Sequence, residues 1–68
     1  MSIRQLLDYG IEIQGAYRIK KWNDKQGQYI ELANGSYFEN EYYKLEERYL
    51  DENIRYIYSD NNELNIEI

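Results

Sequence analysis

From Ile11 to Trp22 the apolar side chains fall on odd positions (Ile11, Ile13, Tyr17, Ile19), and Glu12, Gln14, Arg18 and Lys20 fall on even ones. That alternation is the period of a strand with one face on a core and the other in water. Asp24-Lys25-Gln26-Gly27 reads as the connection of a hairpin, with Gly27 supplying a positive φ, and Gln28 to Ala33 reads as the return strand. The resulting register sets Ile19 opposite Leu32, Lys20 opposite Glu31 and Trp22 opposite Tyr29, pairs that are each chemically sensible. Ahead of this hairpin, Ser2 and Gln5 have the spacing of a capping box, so a short helix is predicted from Ile3. Gly10 stands where a left-handed residue would stop that helix, and Ile11 would fold back on Leu6 or Leu7.

Asn34-Gly35 is a strong signal for a type I′ turn, which predicts a third, short strand through Tyr37 and Phe38. Beyond it Phe38, Tyr42, Leu45 and Tyr49 recur at helical spacing, so Glu41 to Leu50 can form an amphipathic helix with its acidic face in water. Two or three turns are too few to separate that helix from a strand over residues 39–50. In the C-terminal hairpin, a two-residue Asn61-Asn62 loop would pair Ile57 with Ile66 but leave Tyr56 and Tyr58 opposite Glu67 and Asn65. A three-residue loop, Asp60-Asn61-Asn62, is preferred, with Asn62 left-handed. It pairs Ile54 with Ile68, Tyr56 with Ile66 and Tyr58 with Leu64 on one buried face, and Arg55 with Glu67 on the other. Ile11, Ile13, Ile19, Leu32, Leu6 and Leu7 complete the expected core. The sum is an α+β fold: a small antiparallel sheet of hairpins with a short N-terminal helix and room for a second.

The chain has 68 residues, which predicts a single domain, 1–68, with no interdomain cleft. A domain this short buries only about 60% of the surface its unfolded chain would expose. Disulfides and structural zinc usually reinforce such small cores, and the chain contains neither cysteine nor histidine, so self-association is a real alternative. With 43% hydrophobic residues and nine tyrosines, it is too rich in strand formers to be disordered. No apolar signal segment or membrane-length apolar stretch is visible, so a cytoplasmic, membrane-free protein is expected. The net charge of −5 is uneven: residues 1–34 hold five basic and four acidic side chains, residues 35–68 three and nine.

Catalysis is not expected. Without histidine or cysteine, the usual nucleophile–base pairs and metal sites are missing, and Ser2, Ser36 and Ser59 have no evident base. The carboxylates Glu39, Glu41, Glu46, Glu47, Asp51 and Glu52 are numerous enough for a glycosidase-like pair, but so small a chain has little room for a substrate pocket. Asp60-Asn61-Asn62-Glu63 lacks the spacing of a calcium loop and reads as a turn. Neither a metal nor a cofactor is expected. Arg18, Lys20, Lys21 and Lys25, interleaved with Tyr17, Trp22 and Tyr29, resemble a small nucleic-acid face, although the acidic balance makes direct nucleic-acid binding the weaker alternative and a solvated hairpin face the plainer one. The acidic half carries a sharper reading. Glu39, Glu41, Tyr42, Tyr43, Glu46, Glu47, Asp51 and Glu52 combine carboxylates that can imitate a phosphate backbone with tyrosines suited to contact area, a candidate surface for a basic nucleic-acid-processing enzyme.

Two stretches, Ile3-Arg4-Gln5-Leu6-Leu7-Asp8-Tyr9-Gly10-Ile11-Glu12-Ile13-Gln14-Gly15 and Ile54-Arg55-Tyr56-Ile57-Tyr58 running on to Leu64-Asn65-Ile66-Glu67-Ile68, resemble small uncharacterised proteins of phages and mobile elements of Gram-positive bacteria. The resemblance implies a setting in a bacterial host cell, where such proteins are often inhibitors of host defence, anti-CRISPR and anti-restriction proteins among them. The expectation is therefore a non-enzymatic binding protein that inhibits a host defence nuclease. The alternative is a structural or accessory protein that works as a homo-oligomer through exposed sheet edges.

Overall fold

Helix α1 (Ile3–Asp8) is followed by β1 (Ile13–Asn23), β2 (Gln28–Phe38), the single turn α2 (Glu47–Leu50), β3 (Tyr56–Asp60) and β4 (Glu63–Glu67), in a computed structural model that describes residues 1–10, 13–38 and 45–68. The four strands form one sheet in the order β2-β1-β4-β3. Helices and sheet make an α+β fold. The sheet is mixed rather than antiparallel throughout, because β4 inserts beside β1 in parallel, setting Tyr17 against Leu64, Ile19 against Ile66 and Lys20 against Glu67.

The local signals at the N-terminus hold. Ser2 Oγ accepts from the Gln5 backbone at 3.2 Å and Gln5 Oε1 accepts from the Ser2 backbone at 3.0 Å, closing the capping box. Gly10, at φ +80°, ends the helix. Ile11 lies outside the described residues. The turn after β1 also forms as expected: Asn23 Oδ1 accepts from the backbones of Lys25 and Gln26, and Gly27 takes φ +63°.

Strand β2 departs from expectation. Asn34-Gly35 is not a turn, and Tyr37 and Phe38 are not a separate strand but the end of β2, paired with Gln14 and Ile13. Gly35 serves another need. It lies opposite Tyr17, whose ring covers it so closely that a Cβ there would come 2.9 Å from Tyr17 Cε1. Lys20 and Trp22 face Glu31 and Tyr29 as predicted, but Ile19 faces Ala33 instead of Leu32, because the ladder shifts between Ile19 and Lys20. Leu32 is the extra residue, and it still packs against the core. A second shift, between Gln14 and Tyr17, goes with the positive φ of Gly15.

The C-terminal hairpin also corrects the expected register. Asn61 and Asn62 both take positive φ, +52° and +61°, and form a two-residue turn that pairs Ile57 with Ile66, Tyr56 with Glu67 and Tyr58 with Asn65. Two left-handed residues give the type I′ geometry, whose twist matches that of the strands it joins. The preferred three-residue loop assumed that the tyrosines belong to the core. They lie instead on the opposite face, where the Tyr58 hydroxyl accepts from Lys20 and Tyr56 stands largely in water.

Between α1 and the sheet, Ile3, Leu7, Ile13, Tyr17, Ile19, Ala33, Leu45, Leu50, Ile66 and Ile68 form one core cluster, with Leu32, Tyr49, Ile54 and Leu64 against its rim. Of the helix expected over Glu41 to Leu50, residues 41–44 lie outside the described residues, and only the turn Glu47–Leu50 is helical. Leu45 and Leu50 are buried. Backbone bonds from Ile54 N–H to the Met1 carbonyl (2.7 Å) and from Ile68 N–H to the Lys20 carbonyl (3.0 Å) tie the flanking segments to this frame. Among the described residues no helix is long and apolar enough to cross a membrane.

Because the Tyr17 ring occupies the space a side chain at Gly35 would need, Gly35→Ala should lower stability by about 1–3 kcal/mol, read as a fall in Tm. In a Tyr17→Leu background the same change should cost less, since the two residues are in contact. An equal penalty in both backgrounds would contradict the contact.

Candidate functional site

One face of the sheet carries α1 and the core. The other is open, and period-2 alternation together with the cross-strand register collects on it Arg18, Lys20 and Trp22 from β1, Tyr29 and Glu31 from β2, Tyr56 and Tyr58 from β3, and Asn65 and Glu67 from β4. Trp22 and Tyr29 are directly opposed and meet edge to face, with ring centroids 5.0 Å apart. The Lys20 ammonium sits 4.6 Å from the Tyr29 ring centroid and 5.3 Å from that of Tyr58. It donates to the Tyr58 hydroxyl, and that bond, with nearby negative charge, raises its pKa. Tyr29 donates its hydroxyl to Glu67, which makes the phenol harder to ionise. Glu67 and Asn65, on the central strand, are only 9% and 5% exposed, covered by these neighbours.

Arg18 spans the same face. Its guanidinium bonds Glu31 at 3.1 Å on one side and Glu63 at 3.2 Å on the other, joining β2 to β4 across β1. The face is therefore pinned by cross-strand contacts while much of its aromatic area stays in water: Trp22 is 43% exposed, Tyr29 46% and Tyr56 57%.

The residues expected to bind nucleic acid do not form one surface. Arg18, Lys20 and Trp22 lie on the open face, Lys21 points the other way to pair with Glu52, and Lys25 sits in the turn after β1. Arg18 and Lys20 are moreover engaged by the chain's own carboxylates and phenols, so few cations remain for phosphates.

The acidic set is likewise altered by what surrounds it. Glu39, Glu41, Tyr42 and Tyr43 lie outside the described residues. Glu46, Glu47, Asp51 and Glu52 gather around α2, but Arg4 takes Asp51 at 2.7 Å and Glu47 at 3.6 Å, Lys21 takes Glu52, and Arg48 takes Glu46 at 2.9 Å. Three cations stand among these four carboxylates, so the local field is far weaker than the sequence count suggests. The bond to Asp51 also raises the pKa of Arg4.

Tyr56, Tyr58, Asn65 and Glu67 are not among the residues the sequence singles out, whereas Tyr29 is, as a neighbour of Trp22. The signal was present in the two-residue register of the C-terminal hairpin, which places Tyr56 and Tyr58 beside Glu67 and Asn65. Among the described residues no three acidic side chains converge in a way that could hold a metal ion. A groove of about 530 Å³ opens on the helix side, lined by Leu6, Ile13, Ile57, Leu64 and Ile66 with Glu63 at its edge. Glu63 is already bonded to Arg18. No family model, no curated protein and no solved structure matches the chain.

Lys20 and Tyr29 both hold their protons more tightly in the folded chain than at their ordinary values near 10. A raised pKa stabilises the fold fully below the unfolded value and ceases to do so as the pH climbs through the folded one. Tm should therefore fall above about pH 10, and it should fall less steeply in a Lys20→Met, Tyr29→Phe variant. Identical alkaline profiles would show that the cluster is not coupled to folding.

Proposed function

We propose that the chain is a non-enzymatic protein-binding module whose contact surface is the open face of the sheet, centred on Lys20, Trp22, Tyr29, Tyr56 and Tyr58. The observation that carries this reading is a group of exposed aromatic rings on a face whose side chains are already fixed by cross-strand contacts. Tyrosine and tryptophan are the residue types that dominate binding energy at protein interfaces, and prior ordering lowers the entropy lost on association. The absence of histidine and cysteine from the sequence supports a role without catalysis.

The net charge of −5 favours a partner with a basic surface, such as a nucleic-acid-processing enzyme. Together with the resemblance of the chain's two ends to small phage and mobile-element proteins, this leads to an inhibitor of a host defence nuclease, of the anti-CRISPR or anti-restriction kind, acting in the bacterial cytoplasm. The carboxylates around α2 then have a secondary part. Largely paired within the chain, they steer approach more than they anchor the complex.

Pull-down from a Gram-positive host lysate, followed by titration against the captured protein, tests the proposal. Trp22→Ala and Tyr56→Ala should each weaken binding by about tenfold or more, mainly through faster dissociation. Glu46→Lys with Glu47→Lys should slow association modestly, and less so at high salt. Wild-type affinity in both aromatic variants, with binding lost in the charge-reversed one, would move the site to α2. Recovery of nothing but the protein itself would count against a protein partner.

A further inference from the structure

Strand β3 is an edge of the sheet, and the backbone bonds around it define which of its groups face outward. Ile68 N–H bonds the Lys20 carbonyl and Arg55 N–H bonds the Glu67 carbonyl, so the even-numbered residues of the C-terminal segment turn their backbone toward β1 and the odd-numbered ones toward β3. By the alternation of an antiparallel ladder, Tyr56, Tyr58 and Asp60 are then the β3 residues bonded to β4, and Ile57 and Ser59 present their N–H and C=O groups outward. Within the described residues nothing meets these groups. Few of the features that usually protect an edge are present: the strand is short, but its one charged residue, Asp60, lies at the turn. From Tyr56 to Asp60 it contains no lysine, no proline and no break in register, whereas the opposite edge, β2, carries two ladder shifts.

We infer that β3 pairs antiparallel with β3 of a second copy of this chain, with Tyr58 on the two-fold axis. The register follows from the groups available. Centring the pair on Tyr58 sets Ile57 against Ser59 of the second copy and Ser59 against its Ile57, two hydrogen-bonded pairs that use every outward group. Centring it on Ile57 would require Arg55, whose N–H is already given to Glu67, and centring it on Ser59 would bring Ile57 against the turn at Asn61.

The side chains suit the same register. Ile57, 52% exposed at the mouth of the apolar groove with Leu64 and Ile66, would be covered by the second copy's hairpin. On the open face the Lys20–Tyr58 contacts of the two copies would meet across the axis, with Tyr56 opposite Asp60. The result is one continuous eight-stranded sheet with an aromatic face twice as long. This inference is independent of the protein-partner proposal, because its test needs only the purified chain.

The chain has no cysteine, so a single introduced one reports on the pairing. Tyr58→Cys places two sulfurs across a non-hydrogen-bonded pair with Cα atoms about 4.5 Å apart, within disulfide reach. Tyr56→Cys places them roughly 13 Å apart. Under mild oxidation Tyr58→Cys should form a covalent dimer at least tenfold faster than Tyr56→Cys. Sedimentation of the wild-type chain should show a concentration-dependent dimer. Ser59→Pro, which removes an outward N–H and no bond within the hairpin, and Ile57→Lys should both be monomeric, with unchanged far-UV circular dichroism. Equal cross-linking of the two cysteine variants, a wild-type monomer throughout the dilution series, or a dimer that survives both edge variants would overturn the inference.

Discussion

The parallel pairing of β4 with β1 is the contact on which the rest of the molecule depends. It places Ile66 beside Ile19, two of the most deeply buried side chains in the protein, and it closes a sheet that would otherwise be two separate hairpins. An isolated hairpin is marginal in water, and independent stability needs more strands or a covering element. Joining the hairpins through β4 provides both, since the merged sheet is wide enough for α1 to cover one face with Ile3 and Leu7. No disulfide contributes. The central position of β4 also explains why Asn65 and Glu67, polar by type, are buried: a middle strand has neighbours on both sides whatever its sequence.

That arrangement decides where the charges go. Arg18 can bond Glu31 and Glu63 at once only because β1 lies between β2 and β4. Arg4 reaches Asp51 because α1 and α2 lie side by side. Each exposed ion pair adds little to stability, typically less than about 1 kcal/mol. Their effect on the surface is larger, since a carboxylate with a guanidinium beside it attracts a distant cation far less than an isolated one. An acidic composition and an acidic surface are thus different properties. What remains available for recognition is contact area more than charge.

Signals that close within a few residues were legible in the sequence. The Ser2–Gln5 capping box, Gly10 at the helix end, the Asp24–Gly27 turn and the Lys20–Glu31 and Trp22–Tyr29 pairs each involve groups that are neighbours in the chain or fixed by a tight turn. What failed depended on partners far away in sequence. Asn34-Gly35 has the chemistry of a turn, yet the ring of Tyr17 packs on Gly35 and β1 offers a ladder as far as Phe38, so extension wins. Nothing in the alternation of β1 or β4 announces that the two will pair in parallel, because either could serve as an edge or a centre. The C-terminal hairpin was misread for a related reason. Placing Tyr56 and Tyr58 in the core favoured a face shared with Ile66, when the two asparagines suited the tighter turn. The same register hides the β3 and β4 part of the candidate site, while Lys20, Trp22 and Tyr29 on the first hairpin stand out in the sequence.

Whether the open face exists for binding or only for folding turns on Tyr56. Trp22 and Tyr29 repay their exposure in part through their mutual contact, worth about 0.5–1.5 kcal/mol beyond area burial, and Tyr58 and Tyr29 through Lys20. These residues would be retained by selection for stability alone. Tyr56 has no such return: it is 57% exposed, and its one ring contact among the described residues is Arg55 at 5.9 Å, near the outer limit of a cation–π interaction. Next to it Ile57 is as exposed on the opposite face. A strand that keeps large apolar groups in water on both sides, while among the described residues its outward backbone groups go unmet, gains little from them in the isolated chain. Their contribution comes when another surface covers them.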